Sequence, residues 1–150
     1  MADLRSARMK PGYQIAPHEV VEPDMSEADW QDFERGVALF NRGEYWESHE
    51  AWELIWRRHL EPSRIFFQGL IQLAAAYHQL GRGIFHGVIK HFNNAALKLG
   101  QFPDVFLGLD VKVLNEAIRD GRRKAEALGE ENLKSMAEGW AVQMRFVRPD

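Results

Sequence analysis

The sequence predicts an all-α fold, a compact antiparallel bundle or irregular array of about five helices. Three observations carry that prediction. Apolar residues recur at helical spacing in five segments, four of those segments stop at a glycine, and the links between the first four are short. Short links favour antiparallel neighbours. A chain of 150 residues is near the usual size of one domain, and at that size roughly 70% of the unfolded surface can be buried. We therefore expect one helical domain over residues 26–150, preceded by an arm over residues 1–25.

Each element follows from local signals. Pro11, Pro17 and Pro23 with few periodic apolar residues predict an extended or mobile arm. Ser26 with Asp29 three residues on opens helix one as a capping box, and Trp30, Phe33, Val37 and Phe40 then recur until Gly43. Helix two is read over Glu44–Leu60, helix three over Pro62–Leu80 with Gly81 as its stop, and helix four over Gly83–Leu99 with Gly100 as its stop. Asp110 caps helix five, where Val111, Leu114, Ala117, Ile118, Ala125 and Leu128 share a face that ends at Gly129. Gly121 lies on that face and signals either a close helix crossing or a break. A short helical turn is expected near Leu133–Ala137. Beyond it, Trp140, Val142, Met144 and Phe146 alternate with small or polar residues, which predicts an extended tail.

Composition narrows the function classes. Five Trp, nine Phe and 45% hydrophobic residues supply a core, and 27% charged residues supply a solvated surface. There is no cysteine, which excludes disulfides, thiolate nucleophiles and Cys-type zinc sites. No apolar run approaches the roughly 20 residues of a membrane span or the form of a signal peptide. A cytoplasmic location without membrane association is the expectation. With a net charge of −3, nucleic acid is not the favoured partner. Arg119, Arg122, Arg123 and Lys124 of helix five are interleaved with Glu116, Asp120 and Glu126, as on an ordinary solvated face.

Polar chemistry enters the apolar faces at two helices. Turning helix two by about 100° per residue groups Tyr45, Trp52 and Trp56, and sets His49 and Glu53 between that group and Trp46. A carboxylate and an imidazole one turn apart can hold a divalent metal, or the carboxylate can orient the imidazole as a base. They can equally hydrogen-bond each other and fix the helix in the core, which is the commoner role of buried polar groups. His49-Glu50-Ala51-Trp52-Glu53 resembles the start of a zincin motif, but Glu53 stands where the second histidine belongs. Helix three has a very wide apolar arc, a polar stripe of Gln68, Gln72 and Gln79, and His78 set among apolar residues. Across an antiparallel interface His49 would approach Gln72 or His78. Gly69 and Ala74–Ala76 leave space for close packing or for a ligand. On helix four, His86 and His91 are read as solvated. No glycine-rich phosphate loop and no nucleophile motif are present.

The stretch Phe40-Asn41-Arg42-Gly43-Glu44-Tyr45-Trp46-Glu47-Ser48-His49-Glu50-Ala51-Trp52-Glu53-Leu54-Ile55-Trp56, followed by Gly69-Leu70-Ile71-Gln72-Leu73-Ala74 and His78, resembles the bacterial and archaeal family called domain of unknown function 309. The resemblance spans roughly residues 30 to 110. It implies a compact helical, cytoplasmic domain and directs attention to His49, Glu50, Glu53, Trp56, Gly69, Gln72 and His78, without implying an activity. Phe40-Asn41-x-Gly43-x-Tyr45 is also similar to a tetratricopeptide turn, but no second copy follows at that repeat's period.

The expectation is a non-catalytic binding or interaction module. Its pocket would be built from Tyr45, His49, Glu50, Trp52, Glu53, Trp56, Gln72 and His78, for an unknown small molecule or protein. No cofactor is predicted. The alternative is a metal-dependent hydrolase or other enzyme, with a single divalent metal on His49, Glu53 and His78.

Overall fold

The structure, a computed structural model, describes residues 14–136 and 141–147. Among the described residues there are five α-helices: α1 (Glu27–Asn41), α2 (Tyr45–Arg58), α3 (Ile65–Arg82), α4 (Phe85–Leu99) and α5 (Val111–Asn132). The fold is all-α, and each helix packs chiefly against its neighbour in sequence. The start of α1 follows its expected chemistry. Ser26 Oγ accepts from the Asp29 amide at 3.0 Å, and the Ser26 amide donates to Asp29 Oδ2 at 3.1 Å, so two otherwise orphaned donors are satisfied reciprocally. At α5, Asp110 Oδ1 accepts from the Val113 amide at 3.2 Å.

Helix α3 is the centre of the molecule. Eleven of its residues are buried, including Phe66, Phe67, Leu70, Leu73 and Tyr77, and it lies between α2 and α4. Phe66 gathers Phe102 and Phe106 at ring-centroid distances of 5.1 and 4.7 Å, and Phe33 meets Phe67 edge-on at 6.0 Å. Burying each such side chain contributes about 1.5–3 kcal/mol. Close helix approaches depend on two glycines in particular. A Cβ on Gly36 of α1 would stand 2.2 Å from the indole Nε1 of Trp52 on α2. Gly121 resolves in favour of a crossing. Backbone φ/ψ stays helical there, and a Cβ would stand 2.9 Å from Cζ of Phe92 on α4. The interruption in α5 comes instead at Gly129, with φ 73° and ψ 176°.

Two short strands, β1 (Val105–Phe106) and β2 (Leu109–Asp110), form an antiparallel hairpin that the sequence did not announce. Strands of two residues are too short to display an alternating pattern. The tail runs extended past this hairpin. Phe146 bridges Leu109, the Asp110 amide donates to the Arg145 carbonyl at 3.0 Å, and Val147 donates to the Gly108 carbonyl. Trp140 and Ala137 lie outside the described residues, whereas Leu133–Met136 forms the expected short turn as a 3₁₀ helix. Residues 1–13 of the arm also lie outside them. Its described part is laid on the domain: Ile15 donates to Gln101 Oε1 at 2.8 Å, and Val20 and Met25 pack on the core. Among the described residues no helix is long and apolar enough to cross a membrane.

Candidate functional site

A cavity of about 220 Å³ opens between α2, α3 and α4. Helix α2 contributes Tyr45, Trp46 and His49. Helix α3 contributes Ile71, Gln72, Ala75, His78 and Gln79, and α4 contributes His91. The α3 residues fall at i, i+1, i+4, i+7 and i+8, which is one continuous stripe of a helix. Among the described residues no Asp, Glu, Lys or Arg lines the cavity. Trp46 forms its aromatic wall. The indole is 54% exposed, and its ring centroid stands 5.0 Å from that of His49 and 5.6 Å from that of His78.

Hydrogen bonding inside the cavity is incomplete. His91 Nδ1 donates to Gln72 Oε1 at 2.7 Å. Burial lowers the His91 pKa, and the nearby charges of Lys90 and Lys98 lower it further, so the ring is neutral at pH 7 and Nε2 carries a lone pair. His49 Nε2 stands 3.5 Å from Glu53 Oε2, which favours hydrogen on Nε2 and a lone pair on Nδ1. That Nδ1 is buried and has no partner, and neither has the buried Oε1 of Gln79. Buried polar atoms are almost always paired. Tyr45 is held as a neutral phenol, because burial raises its pKa.

The structure thus brings together Tyr45, His49, Gln72 and His78 and does not bring the other expected residues to them. Trp52 points the opposite way, fully buried against Gly36, with its indole N–H donating to the Phe33 carbonyl at 3.4 Å. Trp56 lies beneath the Arg64 guanidinium, 3.9 Å from its centroid. Glu53 stands outside the cavity between His49 and Arg57, each at 3.5 Å, and Glu50 is exposed. His91, read as solvated, is half-buried in the site, while His86 is exposed. The two readings of the small residues both hold at different positions. Gly69 packs against Leu99, where a Cβ would come within 2.7 Å, and Ala75 lines the cavity. Among the described residues no three His, Asp or Glu side chains are grouped to hold a metal ion.

The most buried histidine is one that sequence reasoning passed over. His59 is 7% exposed, with Nε2 donating to Asp29 Oδ2 at 2.7 Å and Nδ1 against Glu61 Oε1. Arg58 donates to Asp29 Oδ1 at 2.7 Å and also pairs with Asp32. Burial opposes ionisation of Asp29, but the hydrogen bonds from Arg58, His59 and Ser26 outweigh it, and its pKa falls to about 2. Every oxygen of this carboxylate is used by the fold. The cluster ties the start of α1 to the end of α2.

An all-helical domain with an uncharged cavity of histidines, glutamines and aromatics between three successive helices is the class that fold and site define. Residues 33–91 match the family described as domain of unknown function (DUF309). Every residue lining the cavity falls within the matched segment. No curated protein matches the chain.

Proposed function

We propose that the chain is a non-catalytic binding module whose ligand occupies the cavity between α2, α3 and α4. One observation supports this above all. Two of its lining residues, His49 and Gln79, each hold a buried polar atom, Nδ1 and Oε1, that lacks a partner within the protein, and leaving such atoms unpaired costs about 1–3 kcal/mol each. A ligand that supplies the missing donors recovers that cost. The volume is below the ~300 Å³ at which drug-sized pockets begin, so the ligand is small.

Ligand-observed NMR with a fragment library tests this, using Ala75→Leu to fill the cavity without touching its polar groups. The expected result is a set of fragments that bind the native protein, compete with one another and are lost in the variant. Equal binding to both proteins, or none to either, would overturn the proposal. A second reading, in which Glu53 orients His49 as a base or both help to hold a metal, is favoured by their 3.5 Å separation. It predicts turnover of a hydrolase substrate panel or stoichiometric metal in untagged protein, with loss of either in His49→Ala.

A further inference from the structure

We propose that the ligand is an uncharged planar heterocycle carrying N–H donors, of the aminopurine or aminopyrimidine class. The inference rests on the reading of the cavity as a ligand site and deepens it. The unpaired atoms are both acceptors. Gln79 offers a carbonyl oxygen, and His49, with Nε2 turned to Glu53, offers the Nδ1 lone pair. Gln72 Oε1 already receives the His91 N–H, which leaves one of its two lone pairs as a further acceptor. The ligand must therefore bring donors.

Charge and shape narrow the class further. No side chain lining the cavity carries a fixed charge, and burying an ionised ligand without a counter-charge is costly. Ile71 and Ala75 supply apolar surface, while the Trp46 indole leans over His49 and His78. An aromatic wall with apolar surface suits a flat ring that can pack against both, whereas a polyol would leave most of its hydroxyls facing apolar surface. Gln79 is held in place for this role. Its Cγ, Cδ and Cβ pack on Gly87 of α4 so closely that a Cβ there would stand 2.9 Å from Cγ. The acceptor is thus braced before a ligand arrives.

Titration calorimetry with adenine, N6,N6-dimethyladenine and ribose tests the class on the native protein and on Gln79→Leu and His49→Phe. Adenine should bind saturably, and the dimethylated analogue at least about tenfold more weakly, the worth of one hydrogen bond to an otherwise unpaired group. Gln79→Leu or His49→Phe should erase that preference while thermal unfolding shows the variant folded. Gly87→Ala, which displaces Gln79 without altering a lining residue, should weaken adenine in the same direction. Equal affinity for both purines overturns the proposal. So does failure of adenine where ribose or another fragment binds and is blocked by Ala75→Leu, a result that leaves the cavity a binding site of another class. If nothing binds in competition with that blocked variant, the cavity reading falls together with its ligand.

Discussion

Asp29 joins three local structures through one carboxylate. It completes the α1 capping box, pairs with Arg58 and receives the His59 ring N–H. Its pKa of about 2 in the fold, against 3.8 ordinarily, corresponds to about 2 kcal/mol of stability. The lowered value means this stability is complete above pH ~4 and is lost as pH falls from there through about 2. Urea unfolding of Asp29→Asn should show a deficit of about 2–4 kcal/mol at pH 7 that narrows as the pH approaches 2. Lys98 has the opposite sense. It is 1% exposed, and burial lowers its pKa from 10.5 to about 8. At pH 7 both folded and unfolded states hold the proton and the burial cost is present in full. As pH rises through about 8 the folded state releases it first, so stability should increase by up to about 3 kcal/mol between pH 8 and 10.5. Comparing denaturation midpoints of the native protein and Lys98→Met across that range isolates the contribution, because the variant lacks it.

Helices were legible in the sequence because each carries its own periodicity. The stops were less so, since α3 runs through the expected stop at Gly81 to Arg82 and ends at Gly83, whose φ of 70° is left-handed. What a single helix cannot display is which flank meets which neighbour. Trp52 and Trp56 project beside His49 on a wheel, yet Trp52 packs its indole against Gly36 of α1, and Arg64 stacks on Trp56 from the following turn. Trp46, Gln79 and His91 enter the cavity for the same reason, since their partners are on other helices. His59 was hidden by an overrun of two residues. Read as part of a helix ending at Leu60, it projects with the wrong neighbours. The helix ends at Arg58, and His59, with φ −110° and ψ 143°, turns back as extended backbone toward α1. Packing between elements also sets opposite outcomes for one substitution. Gly36→Ala drives a methyl into the buried indole of Trp52 and should cost about 1–3 kcal/mol despite alanine's better helix propensity. Gly81→Ala, where nothing lies within 4 Å of the added Cβ, should gain up to about 1 kcal/mol. Thermal unfolding of the pair reads the contrast directly.

At the scale of the whole molecule, distant segments are closed by a few polar contacts over the aromatic core. Asn41, at the end of α1, donates through Nδ2 to the Met144 carbonyl at 2.8 Å and accepts the Met144 amide on Oδ1 at 2.7 Å, a strand-like pair across 103 residues. It seats Met144 at 3% exposure. Phe146 of the same segment meets Phe33 edge-on at 5.7 Å. Asn41→Ala should cost about 1–2 kcal/mol and raise protease cleavage within residues 141–147 before the helices are touched. This contact could not be read from a sequence in which its halves are so far apart, although the tail's extended form could. The cavity has the same history: His49 and His78 were visible as polar residues on apolar faces, and the unpaired atoms of His49 and Gln79 required the assembled bundle.

Helix α3, with eleven of its residues buried, has one more consequence. Over its buried stretch, from Ile65 to Leu80, we expect exchange of the backbone amides to require α2 or α4 to leave first. Deuterium uptake in α3 should therefore report the unfolding free energy of the entire chain. Its exchange rate would serve as an internal gauge against which the effect of a substitution, or of a small molecule held between α2 and α4, can be measured without denaturant.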